Sequence, residues 1–157
     1  MPFLQAKSHR LHYADSHPDG PPSGFTFVFI HGLGSSQNYY YPVIPYLTET
    51  HRCITLDTYG SARSPYTNDP VSIPSIAEDV IGALDALKIA EAVVVGHSMG
   101  GLVVTHLGAQ YPDRIAGVVA IGPTHPSETL LTVMSKRADT VLECMYFDPS
   151  FQMGIHH

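Results

Sequence analysis

The sequence predicts an α/β fold: a three-layer α/β/α sandwich around a mostly parallel sheet. Two observations carry this. Solid apolar, β-rich runs such as FTFVFI (25–30) and AVVVG (92–96) read as strands buried on both faces rather than on one. These runs alternate with stretches of helical periodicity, the order that parallel strands joined by crossover helices require.

Each element follows from its residues. Phe3 to Asp15 alternates weakly, as a short hairpin does, and SHPDGPPSG then breaks the chain with Pro and Gly. FTFVFI is the first buried strand, followed by the glycine-bearing loop HGLGSS. A helical segment around Tyr39 to Leu47 is interrupted by Pro42 and Pro45. HRCITLD (51–57) is the next buried strand, closed by the loop TYGSARSPYTNDP. Ser75 and Glu78 have capping-box spacing with Pro74 just before them, which starts a helix there. Its apolar face is Ile76, Val80, Leu84 and Leu87. Then come the strand AVVVG, a helix from Met99 to Tyr111 stopped by Pro112, the strand IAGVVAIG (115–122), and a last helix over Glu128 to Cys144. No internal repeat or low-complexity tract interrupts this order.

Composition bounds the function. A chain of 157 residues, 44% hydrophobic and 14% charged, suits one globular domain. A net charge of −6 with scattered Lys and Arg argues against nucleic acid and anionic membrane surfaces as partners. MPFLQAKSHR carries no apolar core of a secretory signal, and no apolar run is long enough to span a bilayer, so the expectation is a soluble cytoplasmic protein. Cys53 and Cys144 read as buried free thiols. No P-loop, dinucleotide fingerprint, zinc spacing or carboxylate pair stands out, so neither cofactor nor metal is expected.

In parallel sheets ligands lie beyond the carboxyl ends of the strands. HGLG, DTYG, GHSMG and GPTH all fall there. Within GHSMG, Ser98 stands between Gly96 and Gly100 where a strand turns directly into a helix. That is the nucleophile-elbow pattern G-x-S-x-G: a tight turn lifts one hydroxyl clear of the sheet, and neighbours two positions away must be small. A glycine-flanked serine can also be a plain helix N-cap. Acyl transfer further needs N–H donors for the oxyanion. The Met99 amide at the helix start is one candidate, and the Leu33 amide, turned inward by Gly32 and Gly34, is the other. The alternative for HGLG is an ordinary connection. Tyr39, Tyr40 and Tyr41 could line an acyl pocket, with packing at a helix start the plainer reading; Arg63 could meet an anionic substrate, with a solvated loop charge the plainer reading.

FVFIHGLGSSQNYY, LDTYGSARS, VVVGHSMGGL and YPDRIAGVVAIGP resemble, in order and spacing, the α/β-hydrolase superfamily, in particular the 3-oxoadipate enol-lactonase-like enzymes. The segment from Asp57 to Ser64 resembles the D-x-x-G-x-G-x-S loop of that family, with Ala62 where a second glycine is usual. The resemblance implies serine-dependent hydrolysis of a small ester or lactone through an acyl-enzyme, with Ser98 as nucleophile and Leu33 and Met99 as oxyanion hole.

It also implies an acid and a histidine on later loops, beyond a helical cap, so the chain reads as truncated before the last strands. Residues 1–125 are then the N-terminal part of the core, and 126–157 the start of the cap or a frayed tail. Histidines already present do not fill the role. His97 should point away from Ser98, His106 lies about 12 Å along the next helix, and His31 is placed to hold its own loop. His125 has no acid nearby, and His156 and His157 end the chain. The strand IAGVVAIG becomes a sheet edge open to self-association. Two further readings stand beside the enzyme: a catalytically inactive, hydrolase-like binding module, and the product of a truncated gene.

Overall fold

A computed structural model describes residues 2–20 and 23–123. Contacts gather the chain into two units, Met1–Thr124 and His125–His157, and the described residues belong to the first. The expected helix from Glu128 to Cys144, and with it Cys144, His125, His156 and His157, lies outside them.

Among the described residues, six strands form one mixed sheet in the order β1-β2-β4-β3-β5-β6. β1 (Phe3–Gln5) and β2 (Arg10–Asp15) make the predicted hairpin, and β2 pairs antiparallel with β4 (Arg52–Leu56). β3 (Thr26–Ile30), β4, β5 (Ala92–His97) and β6 (Ile115–Ile121) run parallel. The chain leaves β3 toward β4 on one side and leaves β5 toward β6 on the other. The sheet's switch point therefore falls between β3 and β5, where such sheets open a crevice for ligands.

Two helices, α1 (Ile73–Ala86) and α2 (Met99–Gln110), pack against each other and bury Ile76, Val80, Leu84, Val103, Val104 and Leu107 with Val28, Ile30, Ile54, Leu56 and Val94 of the sheet. Burying each such side chain is worth roughly 1.5–3 kcal/mol. A smaller cluster, Phe29, Tyr40, Cys53 and Val95, gathers Phe27, Ile44 and Leu47 around it. Burial there pushes the Cys53 thiol up to about 11, which keeps it an inert thiol.

Two local expectations shift. α1 is capped by Ser72 rather than Ser75: the Ser75 amide donates to Ser72 Oγ (3.1 Å) while the Ser72 amide donates to Ser75 Oγ (2.9 Å). Ser75 thus serves as the reciprocal partner, and Pro74 sits inside the first turn, where its missing N–H costs nothing. The helix expected around Tyr39 to Leu47 is two separate 3₁₀ turns, Gln37–Tyr40 and Ile44–Tyr46, because Pro42 and Pro45 deny an α-helix its donors. Among the described residues no helix is long and apolar enough to cross a membrane.

Candidate active site

β5 ends at His97 and α2 begins at Met99, so Ser98 alone makes the reversal. It does so at φ 54°, ψ −116°, a sparsely populated region for an L-residue. The flanking glycines permit it. A Cβ on Gly96 would collide with the carbonyl of Gly100, and one on Gly100 with the carbonyl of Ile30. The Ser98 amide donates to Ile121 O (3.0 Å), tying the turn to the end of β6. Ser98 is half-buried, and among the described residues nothing hydrogen-bonds its hydroxyl.

The loop after β3 closes on this turn. A Cβ on Gly32 would stand 3.2 Å from Ser98 Cβ. The Ser35 amide donates to Gly32 O (3.2 Å) and Gly34 has φ 70°, the pattern of a type II turn with Leu33 and Gly34 at its tip. The Leu33 N–H makes no hydrogen bond among the described residues, while its side chain is exposed. Met99 is the first residue of α2, so its N–H has no acceptor within the helix. Both sequence-selected amides thus lie on the two segments that meet beside Ser98.

Among the described residues, His31, His97 and His12 are engaged elsewhere. Fully buried His31 contacts Gly32 O through Nδ1 (2.7 Å), and its Nε2 accepts from the Thr58 amide (3.1 Å). A backbone N–H pointing at Nε2 makes Nδ1 the protonated nitrogen, so the ring is neutral and holds its loop, as expected from its position. Burial lowers its pKa, against weaker opposing effects of the Gly32 carbonyl and Asp57. His97 stacks on Tyr39 (centroids 4.7 Å apart), and His106 lies on α2. Buried His12 takes a hydrogen bond from Gln37 Nε2 on Nδ1. Desolvation and then the Arg63 charge hold His12 below its ordinary pKa, so its approach to Asp57 is not an ion pair at neutral pH.

Asp57, fully buried at the end of β4, was visible in the sequence only as the first residue of a loop pattern. It accepts from the Gln37 amide on Oδ1 (2.8 Å) and from Arg63 Nε on Oδ2 (2.8 Å). Arg63 is therefore neither a solvated charge nor a free anion site: its Nη2 also reaches Asn38 Oδ1 (2.7 Å), and the Asp57 hydrogen bond raises its pKa. Ala62 has φ 48°, which explains why glycine is usual there and costs alanine on the order of 1 kcal/mol. Buried Gln37 carried no recognisable signal in the sequence.

Comparison with known proteins fits this geometry. Over 113 residues the chain is 37% identical to the "Putative carbamate hydrolase RutD" of Variovorax paradoxus (strain S110), an alignment covering 71% of this chain and 41% of that protein. The chain thus spans about two-fifths of the length of the curated relatives it matches. The enol-lactonase from Burkholderia xenovorans LB400 superposes with a TM-score of 0.75 at 29% identity, covering 90% of this chain and 58% of that one. Est816, described as an N-acyl homoserine lactone degrading enzyme, does so with a TM-score of 0.72 at 26% identity, covering 94% and 52%. The sequence profile of the alpha/beta hydrolase fold matches residues 26–146, taking in β3 through β6 and the elbow between β5 and α2, and the chain belongs to that hydrolase family.

Proposed function

We propose that this chain carries the nucleophile and oxyanion hole of a serine hydrolase acting on a small ester or lactone. The observation that carries the reading is the strained backbone of Ser98, set beside the Gly32–Leu33 turn. Ser98 Oγ attacks the substrate carbonyl carbon, and the carbonyl oxygen takes up negative charge facing the Leu33 and Met99 amides. Donors fixed in advance stabilise that charge without reorganising, which is commonly the largest single catalytic effect. Collapse of the adduct releases the alcohol, which in a lactone stays tethered to the acyl group, and leaves an acyl-enzyme for water to hydrolyse. The proton of Ser98 goes to a histidine base, which is oriented by an acid and returns the proton to the departing alcohol oxygen; both groups are supplied from outside the described residues.

The substrate class is supported by the likeness to the enol-lactonase and to Est816, whose names describe lactone chemistry. A carbamate presents the same acyl carbon, so the carbamate-hydrolase relative fits this chemistry too. A second reading, a hydrolase-like binding module without turnover, is favoured by the Ser98 hydroxyl having no hydrogen-bond partner among the described residues. Labelling with a fluorophosphonate separates the two. An adduct lost in Ser98→Ala is the expected result; folded protein that takes no label counts against an activated Ser98 and favours the binding module or a truncated gene product.

A further inference from the structure

The Leu33 N–H belongs to the Gly32–Leu33 peptide, and in a planar trans peptide the N–H points opposite to the C=O. Whatever holds the Gly32 carbonyl therefore aims the Leu33 N–H. That carbonyl is held by the Ser35 amide (3.2 Å) and by His31 Nδ1 (2.7 Å). His31 is in turn seated on the Thr58 amide through Nε2 (3.1 Å). At the far end of the turn, Gln37 is seated through its own amide on Asp57 Oδ1 (2.8 Å), and its Oε1 accepts from Thr55 Oγ1 (2.6 Å). Both ends of the segment between His31 and Gln37 thus rest on consecutive residues, Asp57 and Thr58, just after β4.

Arg63 adds a second tie across the same gap. Its guanidinium joins Asp57 Oδ2 (2.8 Å) to Asn38 Oδ1 (2.7 Å), locking the residue after Gln37 to the same carboxylate. Asp57 is wholly buried, and a buried carboxylate must be matched by donors. Here the donors come from the segment that bears Leu33 and from Arg63, and the Ser64 hydroxyl donates to the Asp57 carbonyl (2.6 Å), fixing the loop's own backbone.

Building on the reading of Ser98 and Leu33 above, we infer that Asp57 and Arg63 are positioning residues for the oxyanion hole: without touching substrate, they hold the far end of the turn that aims the Leu33 amide at Ser98. Arg63 is the better residue to vary, being at the surface end of the pair. Arg114, which pairs with Asp85 at 2.7 Å and is similarly exposed, is a matched control remote from this loop.

The test compares Arg63→Gln with Arg114→Gln in the whole chain, reading amide exchange at Ser35 and Gln37 by NMR and the kinetics of fluorophosphonate inactivation. Exchange at those two amides should accelerate by about tenfold in Arg63→Gln alone, with β3 and β5 unaffected. The inactivation rate constant should fall by about tenfold at unchanged probe affinity, since misplacing a catalytic group slows chemistry more than binding. Equal exchange at Ser35 and Gln37 in the two variants overturns the inference. A wild-type chain that takes no probe counts against the Ser98 reading alone, and the exchange comparison still decides the role of Asp57 and Arg63.

Discussion

Ser98 keeps a backbone conformation that costs an L-residue on the order of 1–3 kcal/mol, held by Gly96, Gly100 and the Ile121 carbonyl. The amide opposite it is open to a direct test. Leu33 occupies the second position of a type II turn, where proline is favoured. Leu33→Pro should therefore keep the turn, delete the N–H and slow fluorophosphonate labelling of Ser98 by roughly 100-fold; an unchanged rate would remove Leu33 from the oxyanion hole. His31 gives the site a pH signature. Burial holds its folded pKa below the ordinary 6.5, so as pH falls through that value the unfolded chain takes up the proton first. The stabilisation is complete above 6.5 and lost on acidification toward the lower folded pKa. Thermal melts should show the melting temperature dropping between about pH 7 and pH 5, with a shallower drop in His31→Gln.

At the scale of elements, a buried polar contact adds to the apolar packing of the β1–β2 hairpin on α1. His9 Nδ1 lies 2.6 Å from Asp79 Oδ2, and the ring stacks on Tyr59 with centroids 3.6 Å apart. The other oxygen, Asp79 Oδ1, is buried and has no hydrogen-bond partner among the described residues. Removing the imidazole strands the whole carboxylate, and breaking a buried pair from one side costs about 3 kcal/mol or more. His9→Ala should show that loss in urea denaturation. The neighbouring Lys7–Glu78 pair, 2.9 Å long and exposed on both sides, should by contrast leave the midpoint unmoved when Lys7 becomes Gln.

At the scale of the molecule, the sheet is closed on one side by the short hairpin strand β1, while β6 pairs only with β5 among the described residues. β6 reads IAGVVAI, without a charge or proline to discourage pairing, and Val118, Val119 and Ile121 are each more than 40% exposed. Such an edge is a template for another strand. Concentrated samples should self-associate, and Val119→Lys should reduce that association in light scattering; equal scattering from both proteins would show that β6 is not the contact.

Much of this was legible in the amino acids, for identifiable reasons. The runs from Phe25 to Ile30 and from Ala92 to Gly96 announce buried parallel strands, because a strand covered on both faces has no polar alternation to display. Gly96, Ser98 and Gly100 announce the elbow, because part of its crowding is local: a Cβ on Gly96 would meet the Gly100 carbonyl within the turn itself, while the crowding at Gly100 comes from the Ile30 carbonyl on β3. Short-range steric rules and hydrophobic periodicity act within a few residues, and the chain carries them wherever it is read. The backing of the Gly32–Ser35 turn was not legible. Asp57 and Gln37 are 20 residues apart and Arg63 and Asn38 are 25 apart, and none of the four sits in a periodic pattern. Their pairing follows from the order in which β4 and β3 lie side by side, which brings two loops to one rim and leaves a buried carboxylate to select its donors. The sequence by itself determined the strands, the elbow and the family. Only the tertiary structure decided which polar groups hold the Leu33 amide in place, because hydrogen bonds between distant loops exist only once the sheet has set their distance.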